Sequence, residues 1–164
     1  MDKESQTQNL LQRVPIIRDW GIMKIISLSE HFKKMSFEPG QVIFDIGDLS
    51  DTLYFIQSGQ VEMQVFFMVS TTHTYPVTQS EVNRTTTNLV IKRVIRRIGH
   101  GRQFGFEEMM LRKRERLFRA QVIGKARVEL LYIEKKHFLQ KLSDSDIIRY
   151  KNLCEKYVNF KQES

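Results

Sequence analysis

Apolar and polar positions along this chain fall into two periods. Between residues 10 and 37, Leu10, Val14, Ile17, Ile22, Ile25, Ile26, Leu28 and Phe32 recur at helical spacing, with interruptions at Pro15 and Gly21. That spacing predicts a helical lead-in. The nine residues before it are polar and are expected to form a flexible N-terminus. From residue 38 the period drops to two. Val42, Phe44 and Ile46 alternate, as do Leu53, Phe55 and Gln57 against Tyr54 and Ile56. Glycines at 40, 47 and 59 sit in the turn dipeptides Pro39-Gly40, Gly47-Asp48 and Ser58-Gly59, where tight corners favour a residue tolerant of positive φ.

The strand that opens at Val61 runs to about Val69, and another returns from Leu89 to Ile98. The polar segment between them, residues 70–88, reads as an inserted loop, though its threonines would let part of it pair as an extended hairpin. Two further strands follow, Ala120–Ala126 and Val128–Ile133. A short helix comes next over Glu134–Leu142, with Phe138 and Leu142 on one face. Ser143 to Ser145 offers N-caps for a final helix whose apolar face carries Ile147, Tyr150, Cys154 and Tyr157.

The ordered set of three glycines with Asp48, Asp51, Tyr54, Ile56 and Val61 resembles the opening strands of a cyclic nucleotide-binding domain. The resemblance covers roughly residues 10–160, leaving 161–164 as a tail. It implies a mainly β fold, a β-roll of jelly-roll type flanked by N-terminal and C-terminal helices. It also implies a site. In this family a Phe-Gly-Glu opening, a short helix and an Arg-Ala ending hold the nucleotide, the Glu taking the ribose hydroxyl and the Arg the phosphate.

Here Phe104-Gly105 is followed by Phe106, with Glu107 and Glu108 one and two places late. Counted back from the downstream strands, the arginine position falls on Phe118, and Arg119-Ala120 follows. One residue in a strand is the opposite face, which only a bulge would correct. The resemblance therefore implies a divergent pocket, lined by Phe104, Gly105, Phe106, Glu107, Glu108, Phe118, Arg119 and Ala120. Weak or no binding of cAMP or cGMP is expected, and no cofactor is required. The alternative is a genuine cAMP or cGMP sensor using Glu107 or Glu108 with Arg119. A fragment of a DNA-binding regulator is a lower alternative.

Composition narrows the picture. With 164 residues and 41% apolar content the chain suits one globular domain. No apolar run is long enough to span a bilayer. The polar, acid-containing start is unlike a secretory signal. One cysteine forbids an internal disulfide and fits a reducing, cytoplasmic setting. Four scattered histidines, without a Ser or Cys elbow, give neither a zinc set nor a catalytic triad, so the expectation is not an enzyme. Asp45, Asp48 and Asp51 are better explained by turn chemistry than by a calcium loop.

The net charge of +7 is unevenly placed. Lys92, Arg93, Arg96, Arg97 and Arg102 form one cluster, and Arg112, Lys113, Arg114 and Arg116 with Arg119 a second. Strand alternation places Lys92, Val94 and Arg96 on one face and Arg93, Ile95 and Arg97 on the other, so some of these cations must meet acids. The basic residues are expected to dock an acidic protein surface within a larger assembly, the tubulin of a cilium or axoneme being one candidate. Nothing in the pattern supports nucleic acid.

Overall fold

The computed structural model describes residues 3–14, 17, 20–78 and 81–149. Helix α1 (Lys3–Arg13) and helix α2 (Ile22–Ser29) precede eight strands, with a short α3 (Glu107–Met110) among them and α4 (Lys135–Leu139) after them. The strands are β1 (Lys33–Phe37), β2 (Val42–Phe44), β3 (Thr52–Ser58), β4 (Gln60–Thr78), β5 (Glu81–Ile98), β6 (Gln103–Phe104), β7 (Arg119–Ile123) and β8 (Val128–Glu134). They form two four-stranded sheets, β1-β8-β3-β6 and β2-β7-β4-β5. Every pairing within them is antiparallel.

Strand β3 shows why the fold has two cores. Its alternation sends Tyr54 and Ile56 to the space between the sheets and Leu53 and Phe55 to the opposite face, where the helices pack. Tyr54 and Ile56 meet Phe44, Val61, Met63, Phe104, Phe118 and Ala120 in the roll interior. Leu53 and Phe55 meet Leu11, Ile25, Leu28, Phe106 and Phe138 beneath the helices. Both faces are covered, so a seven-residue strand carries four consecutive buried residues.

Three elements differ from the sequence reading. The expected flexible segment 1–9 is helical from Lys3, and Thr7 is buried. The expected helix through residue 37 stops at Ser29, and residues 33–37 form β1 against β8. Met35 and Phe37 then reach the roll interior at a spacing of two, while Lys34 and Ser36 face solvent. Finally, residues 70–78 and 81–88 are strand rather than loop, so of the two readings the extended hairpin is the one the structure takes. The ladder of β4 and β5 continues without a break from Phe66↔Lys92 to Pro76↔Val82, forming a hairpin arm longer than the roll needs. Threonines at 71, 72, 74, 85, 86 and 87 suit extended backbone, and tertiary pairing overrides the polar composition.

After α4, Ser143 caps the turns at 144–149: its Oγ accepts from Asp146 N at 3.3 Å, and Asp146 Oδ2 accepts from Ser143 N at 3.2 Å. Tyr150, Cys154 and Tyr157 lie outside the described residues. Among the described residues no helix is long and apolar enough to cross a membrane.

Candidate functional site

The segment from Phe104 to Ala120 runs from the end of β6 into the start of β7 and carries every residue singled out for the pocket. Gly105 has φ +87°, and a Cβ there would lie 2.9 Å from Arg116 Nη1 and 3.3 Å from Thr52 O. Only glycine allows both that backbone and that approach. Phe104 and Phe106, on either side of it, point to opposite cores. Phe104 stacks on Tyr54 inside the roll at 5.1 Å, whereas Phe106 meets Phe55 and Phe138 edge-on at 5.5 and 5.2 Å under the helices.

Helix α3 then turns both acids inward. Glu107 accepts from Arg96 Nη2 at 2.5 Å, and both carboxyls are buried. Glu108 Oε1 accepts from Leu117 N at 2.9 Å, and its Oε2 lies 3.5 Å from Arg116 Nη1. Burial raises the Glu108 carboxyl above the ordinary glutamate range, and the neighbouring Glu107 charge adds to this. The Leu117 amide and the Arg116 guanidinium oppose that rise without cancelling it.

Arg116 is the residue that sequence reasoning missed. It was expected on the basic surface, yet it is 2% exposed, the sole Lys or Arg among the buried described residues. Its Nη1 donates to Gly105 O at 3.1 Å and its Nη2 to Thr52 O at 2.5 Å. The guanidinium lies 4.0 Å from the centroid of the Phe44 ring. Its backbone is clamped as well: Gly47 N donates to Arg116 O at 2.9 Å, and Arg116 N to Asp48 O at 2.7 Å. This is the work of the Gly47-Asp48 turn. The available signal was the acid pair itself, since two carboxylates in an apolar helix must find cations.

Phe118, Ala120 and Val122 face the roll interior, while Arg119 faces outward. The β4–β7 ladder runs in steady register from Gln64↔Arg119 to Gln60↔Ile123, so no bulge turns Arg119 inward there. Arg119 instead grips Asp45 with Nε and Nη2 at 3.0 and 2.9 Å and lies 4.3 Å above the Phe66 ring. That pairing holds the Asp45 carboxyl below its usual range and raises the guanidinium. The position expected to carry the phosphate ligand holds Phe118, 1% exposed.

The basic strand departs from simple alternation too. A bulge at Ile95, between Gln64↔Val94 and Met63↔Arg96, reverses the faces beyond it. Lys92 and Arg97 therefore both reach Glu62, at 3.7 and 3.1 Å, although an odd offset in sequence would place them on opposite faces of a regular strand. Burial raises the Glu62 carboxyl, but Gln64, Arg97 and Lys92 outweigh it and leave the group lowered. Lys92, Arg96 and Arg97 are thus paired with acids of this chain, while Arg102, Arg112, Lys113 and Arg114 stay exposed. No cluster of metal-binding side chains occurs among the described residues.

A profile of the cyclic nucleotide-binding domain matches residues 34–145, more than half of the chain. No curated protein sequence matches it. Among solved structures, the regulatory domain of Toxoplasma gondii PKA with cAMP is 15% identical, with a TM-score of 0.66 over 91% of this chain and 49% of its own. The regulatory subunit of a cAMP-independent protein kinase A from Trypanosoma cruzi, bound to guanosine, is 17% identical, with a TM-score of 0.69 over 98% and 49%. The sensor domain of the transcriptional regulator DNR from Pseudomonas aeruginosa is 17% identical, with a TM-score of 0.66 over 99% and 94%. The chain thus spans about half the length of the kinase regulatory chains it matches.

Proposed function

Since this chain belongs to the cyclic nucleotide-binding domain family, we propose that it is a non-catalytic regulatory module whose nucleotide pocket is filled by its own side chains. The observation that carries the proposal is Arg116. In the place where an anion would need a free cation, the guanidinium is engaged by two carbonyls, a carboxylate and an aromatic face. A cyclic phosphate would have to break these contacts and displace Phe118, and a buried anion without a partner is costly. Glu108 Oε1 accepts from the Leu117 amide and Glu107 Oε1 from Arg96, so both carboxylates are held in place by groups of this chain, and each keeps only a buried Oε2 without a hydrogen-bond partner.

The fold alone does not oblige nucleotide binding. One structural neighbour is described with cAMP and another as part of a cAMP-independent kinase holding guanosine. On this reading the module acts within a larger assembly through its exposed cations, Arg102, Arg112, Lys113 and Arg114, against an acidic protein partner. Equilibrium binding of fluorescent cAMP and cGMP tests the pocket. We expect no saturable binding at micromolar nucleotide, and a low-micromolar dissociation constant would overturn the proposal.

A further inference from the structure

The chain leaves α3 through an unusual residue. Arg112 has φ +57°, the left-handed region that glycine normally occupies at the end of a helix. The hydrogen bonds are those of a Schellman ending, with Lys113 N donating to Glu108 O at 2.8 Å and Arg112 N to Met109 O at 3.2 Å. A long cation in that place carries a steric cost that glycine would avoid. Downstream, Arg114 O accepts from Ser50 N at 2.8 Å, so the loop is tied at both ends.

This geometry sets Arg112, Lys113 and Arg114 around a recess of about 420 Å3, completed by Lys135 and by Met109, Leu139 and Ile147. No acid lines it, and among the described residues none of the four cations is in an ion pair. Basic side chains thus border an apolar lining, and three of them come from a loop fixed before any ligand arrives. Such preorganisation lowers the entropy lost on binding.

We infer that this recess, not the basic strand, is where the acidic partner docks, and that the partner presents an apolar side chain flanked by carboxylates. The inference rests on the acidic-partner reading above and deepens it. Charge complementarity selects the carboxylates. The apolar lining selects the anchor: Leu139, 40% exposed, and the half-buried Ile147 gain from a Leu or Phe side chain, for which the volume suffices, and gain nothing from a bare phosphate. An anionic membrane is a flat surface and would not fill a recess whose floor is the buried Met109. The recess stands apart from the roll interior, so its use is compatible with a filled nucleotide pocket.

The test is fluorescence anisotropy of the full chain with a labelled peptide, Glu-Asp-Glu-Leu-Asp-Glu-Phe-Asp-Glu. Inorganic pyrophosphate and phosphatidylcholine vesicles containing phosphatidylserine serve as competitors. We expect saturable binding that weakens with salt. Lys113→Glu with Arg114→Glu should lower affinity about tenfold or more. Leu139→Ser and a peptide with Ser for Leu and Phe should each lower it several-fold at any salt. Affinity unchanged by the loop reversal but reduced by Arg102→Glu would overturn the recess and leave the acidic-partner reading standing. No binding of the peptide, with binding of vesicles or pyrophosphate instead, would overturn both. Equal affinity for the Ser-substituted peptide would overturn the apolar anchor, and with it the inference.

Discussion

Within one short segment, Arg116 and Arg114 lie two residues apart and meet opposite environments. Arg116 is inside the roll, held by Gly105, Thr52, Glu108 and the Phe44 ring. Arg114 is exposed at the rim of a recess, with its backbone pinned by Ser50. The same residue type is buried and paired within the chain in one place and is a presented cation in the other. What separates them is the Asp45–Asp51 turn, which binds the backbone of both and thereby decides which side chain enters. Charge runs in a sequence do not carry that information, because it depends on a loop more than sixty residues away.

The largest expected effect comes from breaking the inner half of this contrast. Arg116→Ala leaves Glu108 buried beside Glu107 without its cation and should destabilise the domain by about 3–5 kcal/mol in chemical denaturation. The double variant Arg116→Met with Glu108→Gln removes both charges while keeping an acceptor for the Leu117 amide, and should recover most of that loss. An equal loss in the double variant would show that the ion pair is not the cause.

Protonation gives the next effect. Glu108 has its carboxyl raised by burial, so between the ordinary glutamate value and the raised one the native state holds a proton that the unfolded chain has released. Stability should therefore fall as pH climbs through that window. Glu108→Gln should flatten this limb of the denaturation-midpoint profile. An unchanged slope would place the titration elsewhere.

The β-roll was legible because its signals are local. Glycine turns at 40, 47 and 59 and the alternation in β3 stand in the chain as written, and all three glycines adopt positive φ. The outward face of Arg119 was legible too, since a period of two fixes which face a residue takes once the register is known. Three things were not. The bulge at Ile95 changes faces without a sequence mark. The arm of β4 and β5 pairs through its backbone, which the threonines allowed as an alternative but the polar composition did not select. Arg116 looked like one more member of a basic run, and only the fold reveals that Glu108 lies next to it.

Smaller effects probe the outer half. Replacing residues 71–87 with Asn-Gly, so that Ser70 and Asn88 flank a tight turn, should change stability by no more than about 1 kcal/mol, since the arm extends beyond the roll's buried core. Loss of cooperative unfolding would give the arm a structural role. Arg119→Ala should cost about 0.2–1 kcal/mol, because both partners of its pair with Asp45 are partly exposed. Whatever stability the pair lends is present above the ordinary aspartate value and is lost as pH falls through the lowered one. A cost as large as that of Arg116→Ala would erase the distinction between the two sites.

The central claim is that Arg116 already occupies the pocket of this family, and its own side-chain proton reports on that most directly. In nitrogen-15 NMR, the Arg116 Nε–H should be slowly exchanging, because Nε is buried, and its resonance should stay in place as cAMP or cGMP is raised to millimolar concentration. A saturable shift of that resonance on adding nucleotide, with loss of the shift in Arg116→Ala, would show the guanidinium bound to phosphate and would contradict the account.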